Sequence, residues 1–259
     1  SGEKPMKVST IASNTFKEAK RDRVLYLLLF FAILCFLLSR FLGLLTVGDR
    51  VKIIKDVGLA SISLFGMLMA ILMGTGLVYK EIDKKTIFTL LAKPIHRWEF
   101  LLGKYFGLVL TIFIMTVLMS VIFLVVLFLH TFTIEWNILL AILYIFFELC
   151  LMTAVALVFS TFTTPILASL YSLAFYLIGH LSWSLELLIK KVKSGGGRAI
   201  LKVLYVILPD LENFNFKTEV VHQLPIPTKL LGISFAYGLV YTAFLLLLAI
   251  LIFRRRDFI

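Results

Sequence analysis

Six apolar stretches set the terms for this chain: residues 24–45, 57–78, 106–129, 137–160, 165–188 and 230–253. Each reaches the ~20 residues that an α-helix needs to cross the hydrocarbon core of a bilayer. Inside that core no water satisfies backbone N–H and C=O groups, so a spanning segment must hydrogen-bond within itself as a helix or belong to a closed barrel. Composition agrees with the helical choice: 61% of residues are hydrophobic and the mean hydropathy is +1.02. Only 16% are charged, where a water-soluble domain carries ~25%. The expected fold is an all-α membrane protein, one transmembrane domain over residues 1–259 with six transmembrane helices.

Ahead of the first stretch, residues 7–23 set Val8, Ile11, Ala12, Thr15, Phe16 and Ala19 at helical spacing and turn Lys17, Glu18, Lys20 and Arg21 away. That pattern is an amphipathic helix lying in the membrane interface. A cleaved signal peptide is not expected, because the apolar run that follows exceeds ~15 residues and has no small-residue cleavage site.

Charge chooses the orientation. The chain carries 26 Lys and Arg against 15 Asp and Glu, a net +11. These basic residues sit in short segments beside the apolar runs, where they meet lipid headgroups, and no aromatic-basic module for nucleic acid is present. Six spans put both termini on one side. With that side cytoplasmic, 15 of the basic residues lie inside and 11 outside, as the positive-inside rule favours. The expected location is the inner (cytoplasmic) membrane, multi-pass, with both termini cytoplasmic.

The last outer segment, residues 189–229, divides in three. A Ser-Gly-Gly-Gly break at 194–197 precedes a nearly all-apolar run, 199–208, that is ~15 Å long as a helix and too short to cross. It is expected to be a re-entrant or interfacial helix. Pro209 stops it, and residues 210–217 read as a polar turn before Pro225 and Pro227 introduce the last span.

Between the second and third spans, residues 79–105 are charged and basic at both ends. They contain Lys80, Glu81, Asp83, Lys84, Lys85, Thr86, Ile87, Leu90, Leu91, Pro94 and Arg97, with Gly103 and Lys104 following. A short helix with charges on one side and Ile87, Leu90 and Leu91 on the other can insert as an anchor into a groove of a soluble partner. An ordinary charged loop that touches nothing is the alternative. This segment, with the interfacial helix before the first span, resembles the permeases of the ABC-2 (type V exporter) class of ABC transporters. The resemblance rests on Glu81, Thr86, the pair Leu90 and Leu91, Pro94 with Arg97, and Gly103 with Lys104. It extends to the turn 160–165, the stretch 208–214 and the basic terminus 254–258.

What the resemblance implies is a permease subunit moved by a separate ATP-hydrolysing partner. The residues it assigns to that coupling are Glu81, Asp83, Lys85, Thr86, Leu90, Leu91, Pro94 and Arg97. It also implies two copies of the permease with two ATPase subunits, ATP and Mg held in the partner and no cofactor or enzymatic activity in this chain. A rival within the same class is a mechanotransmitter, which drives an extracytoplasmic partner protein through 189–229 without moving substrate. An ion-coupled carrier using Glu148 and His180 as a proton relay is a third reading.

Polar residues inside the spans are few and therefore informative. Glu148 stands near the centre of the fourth span, where an ionised carboxylate costs about 2.5–3.5 kcal/mol on insertion scales. It reads as an interhelical lock or as part of a pathway, with Tyr144 one turn away as a donor. The fifth span sets Ser169, Ser172, Tyr176, His180 and Trp183 on one face. That stripe lines a polar cavity or a dimer seam, or else combines interfacial aromatics with packing residues. Gly66, Ala70 and Gly74, and Gly103 with Gly107, are placed for close helix packing, and Arg40 for snorkelling.

Several chemistries are excluded. Cys35 and Cys150 lie in apolar runs without metal spacing, and His96, His130 and His222 fall in separate loops, so no metal site is expected. Neither a nucleophile elbow nor a phosphate-binding Gly-rich loop is present.

The orientation has a direct test. A membrane-impermeant thiol reagent applied to intact cells should label a Gly196→Cys variant and leave a Lys85→Cys variant unlabelled, and the reverse pattern overturns the orientation.

Overall fold

The computed structural model describes residues 6–45, 50–83, 96–132, 135–181 and 209–255, and among them every regular element is a helix. They are α1 (Met6–Ala19), α2 (Arg23–Leu45), α3 (Arg50–Asp83), α4 (Arg97–Thr131), α5 (Trp136–Ser160) and α6 (Pro165–His180). After a 3-10 turn, Leu211–Phe214, come α7 (Lys217–Val221) and α8 (Thr228–Arg255). The all-α membrane architecture is as expected, but the count of six is not reproduced by length and apolarity. Four helices pass that test alone: the Arg50–Gly76 part of α3, then α4, α5 and α8. α1 and α2 pass only as a pair bent by 63°. α6 as described spans Pro165–His180, 16 residues reaching ~24 Å, and residues 182–188 of the expected fifth span lie outside the described residues. Conversely, α3 and α4 begin at Arg50 and Arg97, ahead of the apolar cores at 57 and 106, because a helix continues into water where hydropathy has already fallen.

The bundle is organised around α3 and α5. They approach closely because glycine faces a side chain at two levels: a Cβ on Gly66 would stand 2.5 Å from Leu149 Cδ1, and one on Gly74 2.8 Å from Ala156 Cβ. α2 and α4 flank α3, and α8 packs chiefly on α5.

At one end of the bundle α1 lies across the start of α4. Its apolar face buries Thr15 and Ala19, while Ser13, Asn14, Lys17 and Glu18 stay exposed, matching the amphipathic reading. Gly107 makes the crossing possible, since a Cβ there would sit 2.6 Å from the Ala12 carbonyl oxygen, which as backbone cannot swing aside. Lys104, buried between the two helices, reaches Glu18 Oε2 at 3.4 Å and lies 5.9 Å over the Phe100 ring. The bend into α2 is held by Asp22 Oδ1, which accepts from the Val24 amide at 3.0 Å, and by the Tyr26 hydroxyl, which donates to the Lys20 carbonyl at 2.8 Å.

The same first turn of α4 also grips the end of α8. The Arg97 guanidinium donates to the carbonyls of Phe253 (3.2 Å) and Arg254 (2.9 Å), two acceptors that a helix C-terminus leaves open. Phe100 stacks on Phe253 at 5.9 Å, and Glu99 accepts from the His96 amide at 2.9 Å, completing a capping box.

The opposite end is fastened by charge. Lys55, 1% exposed, donates to both carboxylate oxygens of Glu135 at 2.7 Å, and the Gln223 amide donates to Glu135 at 3.4 Å. One cluster thus joins α3, the residue ahead of α5 and the residues after α7. The charge count places Lys55 among the outer basic residues, but its charge is neutralised inside the protein.

Several expectations fall outside the described residues: Lys85, Thr86, Leu90, Leu91, Pro94, Trp183 and the 199–208 helix. Glu81 and Asp83 continue α3 as backbone, and their side chains, like that of Arg40, are likewise outside.

Removing the Glu135 carboxylate leaves Lys55, 1% exposed, as a buried charge without its partner. Glu135→Met should therefore destabilise the folded protein by about 3 kcal/mol, while Lys55→Met with Glu135→Met should recover most of that loss. Thermal unfolding in detergent checks both, and equal destabilisation by the single and double changes would count against a structural pair.

Candidate functional site

The polar centre of the bundle is built on Glu148. It stands at the midpoint of α5, 12 residues from either end or ~18 Å along the axis, and it is completely buried. Its partner is His180, 32 residues on: Nε2 lies 2.8 Å from Glu148 Oε1. The short reach of α6 explains the pairing. Because α6 rises from Pro165 and ends at His180, its last residue arrives at the depth of Glu148 instead of the far interface.

A third group completes the arrangement. His180 Nδ1 lies 3.4 Å from Glu212 Oε2, in the 3-10 turn that follows Pro209. Glu212 is 42% exposed at its side chain, so the row runs from a buried carboxyl through an imidazole to one that touches solvent. Joining two carboxyl groups through both ring nitrogens needs an imidazolium or one protonated carboxyl, since neutral imidazole has a single N–H. The hydrogen bond from His180, with Asn215 donating to Glu212 Oε1 at 2.9 Å, holds the Glu212 carboxyl below the usual carboxylate range. Glu148 Oε2 has no hydrogen-bond partner among the described residues. The row can hold a proton and share it between two carboxyls. It contains no activated nucleophile, and the described residues include no group of three metal-ligating side chains.

The segment carrying Glu212 is a turn, as expected for residues 210–217, and it is seated in the bundle. Leu211, Phe214, Phe216 and Val220 are buried. In a 3-10 helix residues three apart eclipse one another, so Leu211 and Phe214 share one face. That face enters two glycine gaps: a Cβ on Gly179 would meet Leu211 Cγ at 2.7 Å, and one on Gly238 would meet Phe214 at 2.9 Å. Asp210 fixes the turn, accepting from the Glu212 amide at 3.2 Å while its own amide donates to the Tyr237 hydroxyl at 2.9 Å. Spacing in the sequence, Leu and Phe three apart behind Asp, was the signal for this.

Among the other intramembrane residues, Tyr144 departs from expectation. It does not donate to Glu148: its hydroxyl bonds the Leu231 carbonyl of α8 at 2.7 Å, and its ring meets Phe216 edge-on at 4.8 Å. Tyr176 packs edge-on against His180 at 4.5 Å, with its hydroxyl 3.4 Å from that of Ser63. Ser169 and Thr75 place their hydroxyls 2.9 Å apart. Ser172 is buried and donates to its own helix at Ala168 O, 2.7 Å. Ser169 and Tyr176 thus meet α3, and His180 meets α5. Ser63 and Glu212 had no assigned role in the sequence reading.

The family model described as ABC-2 family transporter protein matches residues 8–258. No curated protein matches the chain.

Replacing Glu148 separates a structural lock from a changing protonation state. Glu148→Gln keeps volume and hydrogen bonding to His180, so assembly and turnover should persist, whereas Glu148→Leu leaves His180 short of a partner and should cost roughly 1–3 kcal/mol. The measurement is transport activity at matched expression. A Gln variant that assembles fully yet is silent would show that the carboxyl must change protonation.

Proposed function

Because this chain belongs to the ABC-2 family of transporter proteins, and so is a multi-pass membrane permease component of an ABC transporter, we propose that it is driven by ATP hydrolysis in a separate nucleotide-binding subunit. That subunit docks on residues 79–105, through Glu81, Asp83, Lys85, Thr86, Leu90, Leu91, Pro94 and Arg97. ATP and Mg belong to that subunit. The active unit pairs two permease copies with two ATPase subunits in the inner membrane, both permease termini are cytoplasmic, and the direction is export.

The observation that carries this reading is the junction at the first three turns of α4. The docking segment leaves α3, which is helical to Asp83, and enters α4 at Arg97. There Arg97 holds the end of α8 and Lys104 with Gly107 holds α1. A displacement of the segment is passed at once to four helices, which is what a drive point requires. The closed polar centre then becomes what the stroke must open: α6 and the turn after Pro209 are tied to α5 through His180.

That tie also favours a second reading, the mechanotransmitter. Residues 209–221 are seated in the bundle, so a moving α5 and α6 would shift the outer segment and any extracytoplasmic protein resting on it. Stimulation of ATPase activity by a small-molecule substrate supports export, and stimulation by an outer protein alone supports transmission.

Docking is tested by co-purification. Leu90→Ser with Leu91→Ser, or Glu81→Ala, should release the ATPase subunit while the permease stays inserted and monodisperse. Arg97→Glu should in addition loosen the end of α8, read as faster proteolysis at the C-terminus. An intact complex with unchanged ATPase activity in all three variants removes the docking assignment.

A further inference from the structure

The row of Glu148, His180 and Glu212 makes two links through one ring, and the links are unequal. His180 Nε2 stands 2.8 Å from Glu148, whereas Nδ1 stands 3.4 Å from Glu212. The Glu148 side chain is 0% exposed and that of Glu212 is 42% exposed. A neutral imidazole has one N–H, so with both carboxyls ionised it donates to one of them only. One further proton, on the ring or on a carboxyl, makes both links at once. When a single N–H remains, it stays with the carboxylate that water does not reach, because solvent can hydrate the other. Glu148 Oε2 has no partner among the described residues, so the bond at Oε1 is the last that this carboxyl can lose.

We propose that this row is a pH-sensitive latch: one shared proton ties α6 to both α5 and the turn Leu211–Phe214, and loss of that proton frees Glu212 while Glu148 stays bound. The groups around the ring among the described residues are few. Tyr176, on α6 itself, meets it edge-on at 4.5 Å. From α3 come the hydroxyls of Ser63 and Thr75, which face Tyr176 and Ser169. α5 brings Glu148, and the turn brings Glu212 with Asp210, whose carboxylate is engaged by the Glu212 amide. Lys217, at the start of α7, adds a positive charge near Glu212.

Both limits of the latch have a sign. The bond from His180, then that from Asn215 and the charge of Lys217, hold the Glu212 carboxyl below the usual carboxylate range against its partial burial. Its link is therefore present above that range and is lost only as the medium becomes more acid than ordinary carboxylates require. At the alkaline limit the latched row binds one proton more than the released row, so rising pH favours release. Glu148→Gln changes this proton count without changing the shape. The new amide donates to Nε2, Nδ1–H is left to donate to Glu212, and a neutral row keeps both links with no proton to lose.

The test places the full chain in lipid vesicles with its histidine rings isotope-labelled at nitrogen, and follows His180 by solid-state NMR from about pH 5 to about pH 10. His180→Asn identifies the resonances. A nitroxide on Asn213→Cys, in a chain that also carries Cys35→Ala and Cys150→Ala, reports motion of the turn. At alkaline pH the His180 ring should keep its proton on Nε2 and bare Nδ1, and the nitroxide should shift to a mobile spectrum with the same midpoint. In Glu148→Gln the proton should sit on Nδ1 throughout and the nitroxide should stay immobile. Glu212→Gln, made at the exposed member, should be equally insensitive with the proton on Nε2, so the outcome does not hang on tolerance of the buried site. A wild-type ring that is unchanged over the whole range would mean a fixed structural pair and overturn the proposal. So would an alkaline ring with Nε2 bare, a titration that leaves the nitroxide immobile, or variants that loosen as the wild type does.

Discussion

Hydrocarbon offers nothing to a charge or an unpaired hydrogen-bonding group, and the placement of nearly every polar side chain in this bundle follows from that. Lys104 lies against Glu18 and a phenyl face, Lys55 against both oxygens of Glu135, and Glu148 against His180. Hydroxyls without a distant partner turn back onto their own helix, as Thr111 does to Gly107 O and Thr153 to Leu149 O. Each cross-helix pair doubles as a fastening, so the costliest residues are also those that join elements far apart in the chain. The result is a bundle fixed at three heights: at α1, at mid-depth, and at the end where Lys55 lies.

Periodicity and small-residue spacing made much of this legible. The face of α1 that packs on α4 is the one its apolar residues mark, and the glycines at 66, 74, 103 and 107 stand where another helix comes close. The Gly-Lys pair quoted for the family resemblance acquires a physical sense: Gly103 admits the Ile11 side chain and Lys104 answers the charge of Glu18. What periodicity does not carry is depth. It places His180 on a face of α6 but not level with Glu148, because that depends on where α6 stops and how it leans. Tyr144, one turn from Glu148 in sequence, points instead to α8.

Two further features that the local pattern does not carry share one cause. The stretch 210–217 reads as a polar turn and is one, but composition does not tell that it contributes Leu211 and Phe214 to the core while its polar groups bond one another and Tyr237. Lys55 looks like an exposed interfacial charge and is a buried one. In both, the decisive partner lies far off in the chain, and local pattern records what a residue is but not which distant group will meet it. The residues assigned to motor docking stand apart from this comparison, since they rest on the family resemblance and on the geometry of Arg97 alone.

As a mechanical part, α3 is one unbroken helix of 34 residues, ~51 Å long, and it meets α5 closely at two levels, at Gly66 near its middle and at Gly74 two turns on. One end is anchored by Lys55; the other runs to the docking segment. A stiff rod gripped at two levels and clamped near one end cannot pivot freely, so a displacement of its far tip, near Asp83, would be resisted first at the glycine contacts and last at the ion pair of Lys55.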